Sequence, residues 1–162
     1  MKKRLFYLLP LLLWMGLIFY LSGHAGANDN SLPLIARLLE RVIPGISGHL
    51  TAQNIEDMNF VFRKTAHITE YFVLTLWAFR ALQYGKPRIT LKNITMGVVI
   101  AVLYACTDEI HQAFVPRRSS SFNDVMIDSI GTALACGIVL VWKGHQHLVR
   151  ALFSSPPTDN HT

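Results

Sequence analysis

The chain has 162 residues, of which 51% are hydrophobic and only 15% charged, and its mean hydropathy of +0.33 is too high for a soluble domain of this size. The basic balance, with a pI near 9.5, does not point to nucleic acid, because the Lys and Arg residues flank apolar segments, where they act as topology signals. Cys106 and Cys136 stand alone in apolar runs and form no CxxC, which argues against a disulfide framework or a metal knuckle.

In chain order, the first apolar run covers 5–21. It follows Met1, Lys2, Lys3 and Arg4 and is interrupted by Pro10. Its length suits a membrane-spanning helix. The positive start and the small residues Ala25, Gly26 and Ala27 also fit a signal peptide. The length of the apolar run and Trp14 favour a retained helix. In the loop that follows, Leu34, Ile35, Leu38, Leu39, Val42 and Ile43 recur at helical spacing opposite Arg37, Glu40 and Arg41. This predicts a short amphipathic helix, lying on a membrane surface or capping the bundle, that ends at Pro44 and Gly45.

Three more spans are predicted at 61–82, 92–107 and 125–142. The fold expected is therefore all-α: one transmembrane domain of four helices, with the amphipathic helix in the first outer loop. The span at 61–82 carries Arg63, Lys64, His67 and Glu70 in its first half, which places that half at an interface or in a polar cavity. With a cytoplasmic N-terminus, nine of the fifteen Lys and Arg residues fall inside. That bias predicts a multi-pass protein of the cytoplasmic membrane with both termini in the cytoplasm. The start of span two, the end of span three and the start of span four then meet on the outer side.

Those segments hold the candidate chemistry. Lys64, His67 and Tyr71 share a helical face, and Glu70 lies one turn from His67. Tyr104, Asp108 and His111 or Gln112 align in the same way on span three. A carboxylate beside an imidazole orients a general base or co-ligates a metal, and it equally pins helix ends as an ion-pair network. Arg117 and Arg118 call for an anion, either an internal carboxylate such as Glu109 or Asp124 or a phosphate held bidentately. Ser121 and its neighbours suit the cap of the fourth helix. Asp124 and Asp128 lie on one face, and Asp128 needs a partner among Arg63, Lys64, His67 and Arg117. No glycine-rich phosphate loop, HExxH or nucleophile elbow is present. The sequence names no cofactor, and no metal site is assigned.

Two stretches carry a resemblance: RKTAHITEY at 63–71, and YACTDEIHQAFVPRRSSSFNDVMIDSIG at 104–131. They contain RK-x-x-H-x-x-E-Y, DE-x-HQ-x-F-x-P-x-R and D-x-x-x-D-x-x-G in order. In this the chain resembles the VanZ-like family of small bacterial membrane proteins. Where that family has Pro-Gly-Arg, this chain has Pro116, Arg117 and Arg118, so Arg118 fits the family arginine by position. The resemblance implies a cell-envelope protein associated with resistance to teicoplanin, a lipid-anchored glycopeptide.

Three functional readings follow. In the first, the protein acts on an anionic envelope lipid or lipid-linked precursor: Arg63, Lys64, Arg117 and Arg118 hold phosphate, with Tyr71, Gln112, Asp124 and Asp128 lining the substrate site. His67 or His111, oriented by Glu70, Asp108 or Glu109, then transfers a proton or attacks phosphorus. A metal version would add Mn or Zn on His67, His111 and nearby carboxylates. In the second reading the same residues form a noncatalytic lipid- or partner-binding module. The third is proton-coupled transport, for which four spans would need to oligomerise.

Overall fold

The computed structural model describes residues 2–24, 40–46, 51–85, 89–115 and 121–153, with side chains of the last helix described to Gln146. Among these residues the fold is all-helical. Four long helices form it: α1 (Lys2–His24), α2 (Ala52–Gln83), α3 (Leu91–Ala113) and α4 (Phe122–Phe153). Most of the expected amphipathic helix lies outside the described residues. Its end is visible, with Glu40, Arg41 and Val42 helical, and the Gly45 amide donates to Glu40 Oε1 at 2.7 Å in the turn that stops it.

Local chemistry explains the helix ends. Thr51 caps α2 by accepting from the Asn54 amide at 3.2 Å, and Thr90 caps α3 by accepting from the Asn93 amide at the same distance. At the far end of α2 the chain turns through left-handed backbone at Tyr84 and Gly85. The Tyr84 amide bonds back to the Arg80 carbonyl at 3.3 Å, which satisfies one of the last orphan carbonyls of the helix.

The helices alternate in direction. α2 and α3 each touch all three other helices, and α1 and α4 flank this central pair from opposite sides. Contacts step along α2 and α4 together: Lys64 meets Asp124, His67 meets Asp128, and Thr75 Oγ1 donates to Thr132 Oγ1 at 3.2 Å. These two helices therefore run parallel. α1 runs against α2, with Trp14 Nε1 donating to the Glu70 carbonyl at 3.0 Å and Tyr7 packing on Tyr84. It runs along α3, where the Tyr104 hydroxyl donates to the Met15 carbonyl. The result is an up-down-up-down bundle. The core joins Leu11 and Ile18 of α1, Tyr71, Leu74 and Ala78 of α2, Ala101 and Ala105 of α3, and Val125 of α4.

Small residues set the closest approach. A Cβ at Gly131 would overlap the Ile68 carbonyl oxygen and crowd the Phe72 amide, so α2 and α4 pack backbone to backbone there. The outward faces of three helices are largely apolar: Leu5, Leu9, Leu12 and Leu13 on α1, Val99, Leu103 and Ile110 on α3, and Met126, Ile130, Leu134, Ile138 and Val141 on α4 are exposed. On α4 these exposed residues recur every three or four positions, opposite the buried Asp128, Thr132 and Ala135.

Among the described residues three helices, not four, are long and apolar enough by composition to cross a membrane: Arg4–Gly23, Leu91–Ala113 and Phe122–Gln146. The segment expected as the second span, 61–82, is part of a 32-residue helix, α2. That helix carries Glu56, Asp57, Arg63, Lys64 and Glu70 in its first two thirds, and its first-half Phe60, Val61, Phe62 and Arg63 are exposed. Charge density lowers its hydropathy, although at 1.5 Å per residue it is roughly 48 Å long.

The backbone contact at Gly131 yields a direct test. Gly131→Ala should lower the thermal midpoint of the detergent-purified protein, since overpacking of about 1–3 kcal/mol outweighs the helix-propensity gain of about 1 kcal/mol. Gly137, with nothing within 4 Å of an added Cβ, should tolerate or gain from the same change.

Candidate functional site

All four helices contribute to one polar end of the bundle: the end of α1, the first half of α2, the end of α3 and the start of α4. α3 ends at Phe114, whose amide donates to the His111 carbonyl three residues back at 3.0 Å. Ser121 starts α4, with its Oγ accepting from the Asn123 amide at 3.2 Å. Its own amide donates to Glu109 Oε2 at 2.8 Å. The capping role expected of Ser121 is thus joined to a second one, holding a buried carboxylate of α3.

Three side-chain pairs organise the site. Lys64 Nζ pairs with Asp124 Oδ1. His67 Nδ1 lies 3.1 Å from Asp128 Oδ1. Gln112 Nε2 donates to Asp108 Oδ2 at 2.7 Å, one turn apart on α3. Tyr71, Asp108, Glu109, Gln112 and Asp128 are all buried. Tyr71 and Tyr104 stand with ring centroids 6.4 Å apart beside them.

Several buried atoms in this cluster have no hydrogen bond among the described residues: the Tyr71 hydroxyl, Asp108 Oδ1, Gln112 Oε1 and Asp128 Oδ2. Asp108 Oδ1 and Asp128 Oδ2 accept when their carboxyls are ionised, and Gln112 Oε1 accepts in any state. Because a buried polar atom left unpaired costs about 1–3 kcal/mol, these atoms call for donors, from water or from a bound group.

The structure revises several pairings read from the sequence. Among the four candidates for Asp128, His67 is the partner. The carboxylate that positions His67 is accordingly Asp128, across the helix interface, and not Asp108 on α3. Glu70 is half-buried and engaged by other contacts, and its carbonyl receives the Trp14 indole. His111 turns toward α1, where it stacks on Phe19 with centroids 3.9 Å apart and approaches Gly23. His67 and His111 therefore address different helices. Arg63 is exposed on α2, because a helix that turns Lys64, His67 and Tyr71 inward turns its neighbour out. Arg117 and Arg118 lie outside the described residues. The described residues bring no three His, Cys, Asp or Glu side chains into an arrangement suited to a metal ion.

Some contacts had no sequence signal. The Trp14 bond to a backbone carbonyl and the Ser121 amide bond to Glu109 depend on how separate segments meet. Thr75 and Thr132 sit in apolar runs, where each hydroxyl needs an internal acceptor, and that requirement marks them as interface residues.

An apolar-surfaced, up-down-up-down helical bundle with a buried acidic and amide cluster at one end is the architecture of a small membrane protein. The chain belongs to the VanZ/LLP1 family, whose model matches residues 6–143. The match takes in α1 as well as the two motif stretches of α2 to α4. No curated protein and no solved structure matches the chain.

A double-mutant cycle checks the geometry of the site. His67→Ala and Asp128→Ala should be coupled by about 0.5–3 kcal/mol in unfolding free energy, as for residues in direct contact. Arg63→Ala and Asp128→Ala should add within about 0.5 kcal/mol. Coupling of the Arg63 pair with additivity of the His67 pair would reverse the assignment.

Proposed function

We propose that the protein is a four-helix component of the bacterial cytoplasmic membrane, with both termini in the cytoplasm. Its polar end binds a lipid or lipid-linked envelope precursor at the outer leaflet. The apolar outer faces of α1, α3 and α4 support membrane insertion, and the alternating helix directions are those of four crossings. α2 crosses with Lys64 and His67 turned into the bundle, where they meet acids of α4.

The observation that carries the reading is the buried set of unpaired acceptors on Asp108, Gln112 and Asp128. A bare phosphate offers only acceptors and would meet two carboxylates. A head group bearing hydroxyl or amino donors satisfies these atoms. The ligand proposed is thus an anionic lipid whose phosphate is held by the arginines at 117 and 118 and whose donor groups enter the Asp108, Gln112 and Asp128 cluster. A ligand of this kind at the outer leaflet is in keeping with the resemblance to VanZ-like proteins, which are associated with resistance to the lipid-anchored glycopeptide teicoplanin.

The contact of His67 with Asp128 supports a second reading, in which the same site is catalytic. A carboxylate on Nδ1 fixes the imidazole tautomer and raises the basicity of the ring, as a general base requires.

Two measurements test these readings. In a background with Cys106→Ala and Cys136→Ala, a membrane-impermeant maleimide applied to intact cells should label Asp57→Cys and spare Lys143→Cys; the opposite pattern overturns the orientation. Native mass spectrometry of the mildly extracted protein should show an envelope lipid whose retention falls by about tenfold or more in Asp108→Asn, the loss of one charge-assisted hydrogen bond. Turnover of that lipid lost in His67→Ala, with retention unchanged, identifies an enzyme. Undiminished retention in folded Asp108→Asn removes the site.

A further inference from the structure

The opposite end of the bundle holds a second feature that the VanZ-like motifs do not touch. Between α2, α3 and α4 lies a cavity of about 410 Å³, within the roughly 300–1,000 Å³ of small-ligand sites. Leu76, Phe79, Ile138 and Val139 supply apolar walls, and Arg80 and Gln83 line it as polar groups.

Arg80 is unusual in its partners. Its guanidinium carbon lies 4.9 Å from the Phe6 ring centroid, 5.2 Å from that of Tyr7 and 5.1 Å from that of Trp77. These rings fix the charge in place but give it no counter-ion. Its Nη1 is buried with no hydrogen bond, and the described residues offer the guanidinium no carboxylate. The reason is written in the sequence: no Asp or Glu occurs between Glu70 and Asp108, between Asp128 and Asp159, or before Asp29. Every described residue at this end of the bundle is therefore neutral or basic, with Arg4, Lys92 and Lys143 nearby on α1, α3 and α4.

A positively charged end alone orients a helix bundle in the membrane and needs no cavity. Here the aromatic-clamped Arg80 also lines an apolar pocket that opens at the bundle surface, where Ile138 is exposed, and a fixed cation beside apolar walls suits an anionic amphiphile. We propose that this cavity is a second lipid site, distinct from the polar end, that holds one anionic phospholipid: phosphate on the Arg80 guanidinium, one acyl chain between Leu76, Phe79, Ile138 and Val139. Guanidinium matches phosphate through paired N–H donors and is weakly hydrated, so it suits an interfacial site of this kind. The volume admits part of an acyl chain and not a whole lipid.

The test uses the full chain in nanodiscs of equal phosphatidylglycerol and phosphatidylcholine, with retained lipid read by native mass spectrometry. The wild type should keep phosphatidylglycerol in preference. Arg80→Gln should lower its retention by about tenfold or more, the loss of one charge-assisted hydrogen bond. Val139→Trp, which fills the cavity with the guanidinium intact, should lower it as well, and this variant decides the matter alone if Arg80→Gln does not fold. Lys92→Gln, which removes a charge at the same end and does not line the pocket, should leave it unchanged. Equal retention of the two lipids, undiminished retention in Val139→Trp, or equal losses in Lys92→Gln and Arg80→Gln overturns the proposal. Retention lost in Asp128→Asn and kept in both Arg80→Gln and Val139→Trp assigns the lipid to the polar end and likewise overturns it.

Discussion

Acidic side chains buried inside an apolar bundle are the constraint on which the rest of this structure depends. Asp108 and Asp128 sit among helices whose outer faces are Leu, Ile, Val and Phe, and a carboxylate there is tolerated only with partners. α2 supplies them across its interface with α4: Lys64 for Asp124 and His67 for Asp128. This explains why α2 is both the most charged helix and a central one. Lys64 and His67 line the inside of the bundle, complementary to the acids of α4, while Glu56, Asp57 and Arg63 on the same helix face outward.

The close packing of α2 on α4 makes those pairs possible. Gly131 lets the two backbones meet within one turn of Asp128, and Thr75 and Thr132 close the next layer with hydroxyl contacts that stay inside the bundle. Small residues and paired polar groups take the place of the hydrophobic driving force that helices lack inside lipid. α1 joins through a different device. Trp14 and Tyr104 each make a hydrogen bond to a backbone carbonyl on a neighbouring helix, and Arg80 of α2 lies on the Phe6 and Tyr7 rings, so that aromatic side chains, not ion pairs, hold the first helix to the central pair.

The two ends of the bundle differ in kind. One concentrates carboxylates with acceptor atoms left over; the other has aromatic rings, basic residues and no acid. The first end coincides with the motifs of the VanZ/LLP1 family, while the second has no motif and becomes visible only when Arg80, Phe6, Tyr7 and Trp77 are brought together from two helices. An arginine inside the run LWAFRALQY, with no acid for 27 residues on its C-terminal side, was a signal present in the sequence that pattern reading passed over.

The sequence by itself determined the helical class, the family and the convergence of the polar segments at one end. Apolar length, charge placement and motif spacing are local properties, and alternation of four helices brings the start of α2, the end of α3 and the start of α4 together whatever their packing details. The face shared by Lys64, His67 and Tyr71 and the turn-to-turn bond of Gln112 with Asp108 were likewise legible, because helical periodicity alone dictates them. Partner choice was not. That His67 meets Asp128, that Lys64 takes Asp124, that His111 stacks on Phe19 of α1 and that Arg63 faces outward all depend on the rotation and axial offset of each helix against its neighbours. Those quantities are set by backbone contact at residues such as Gly131 and by side chains far apart in the chain, and only the tertiary structure decides them.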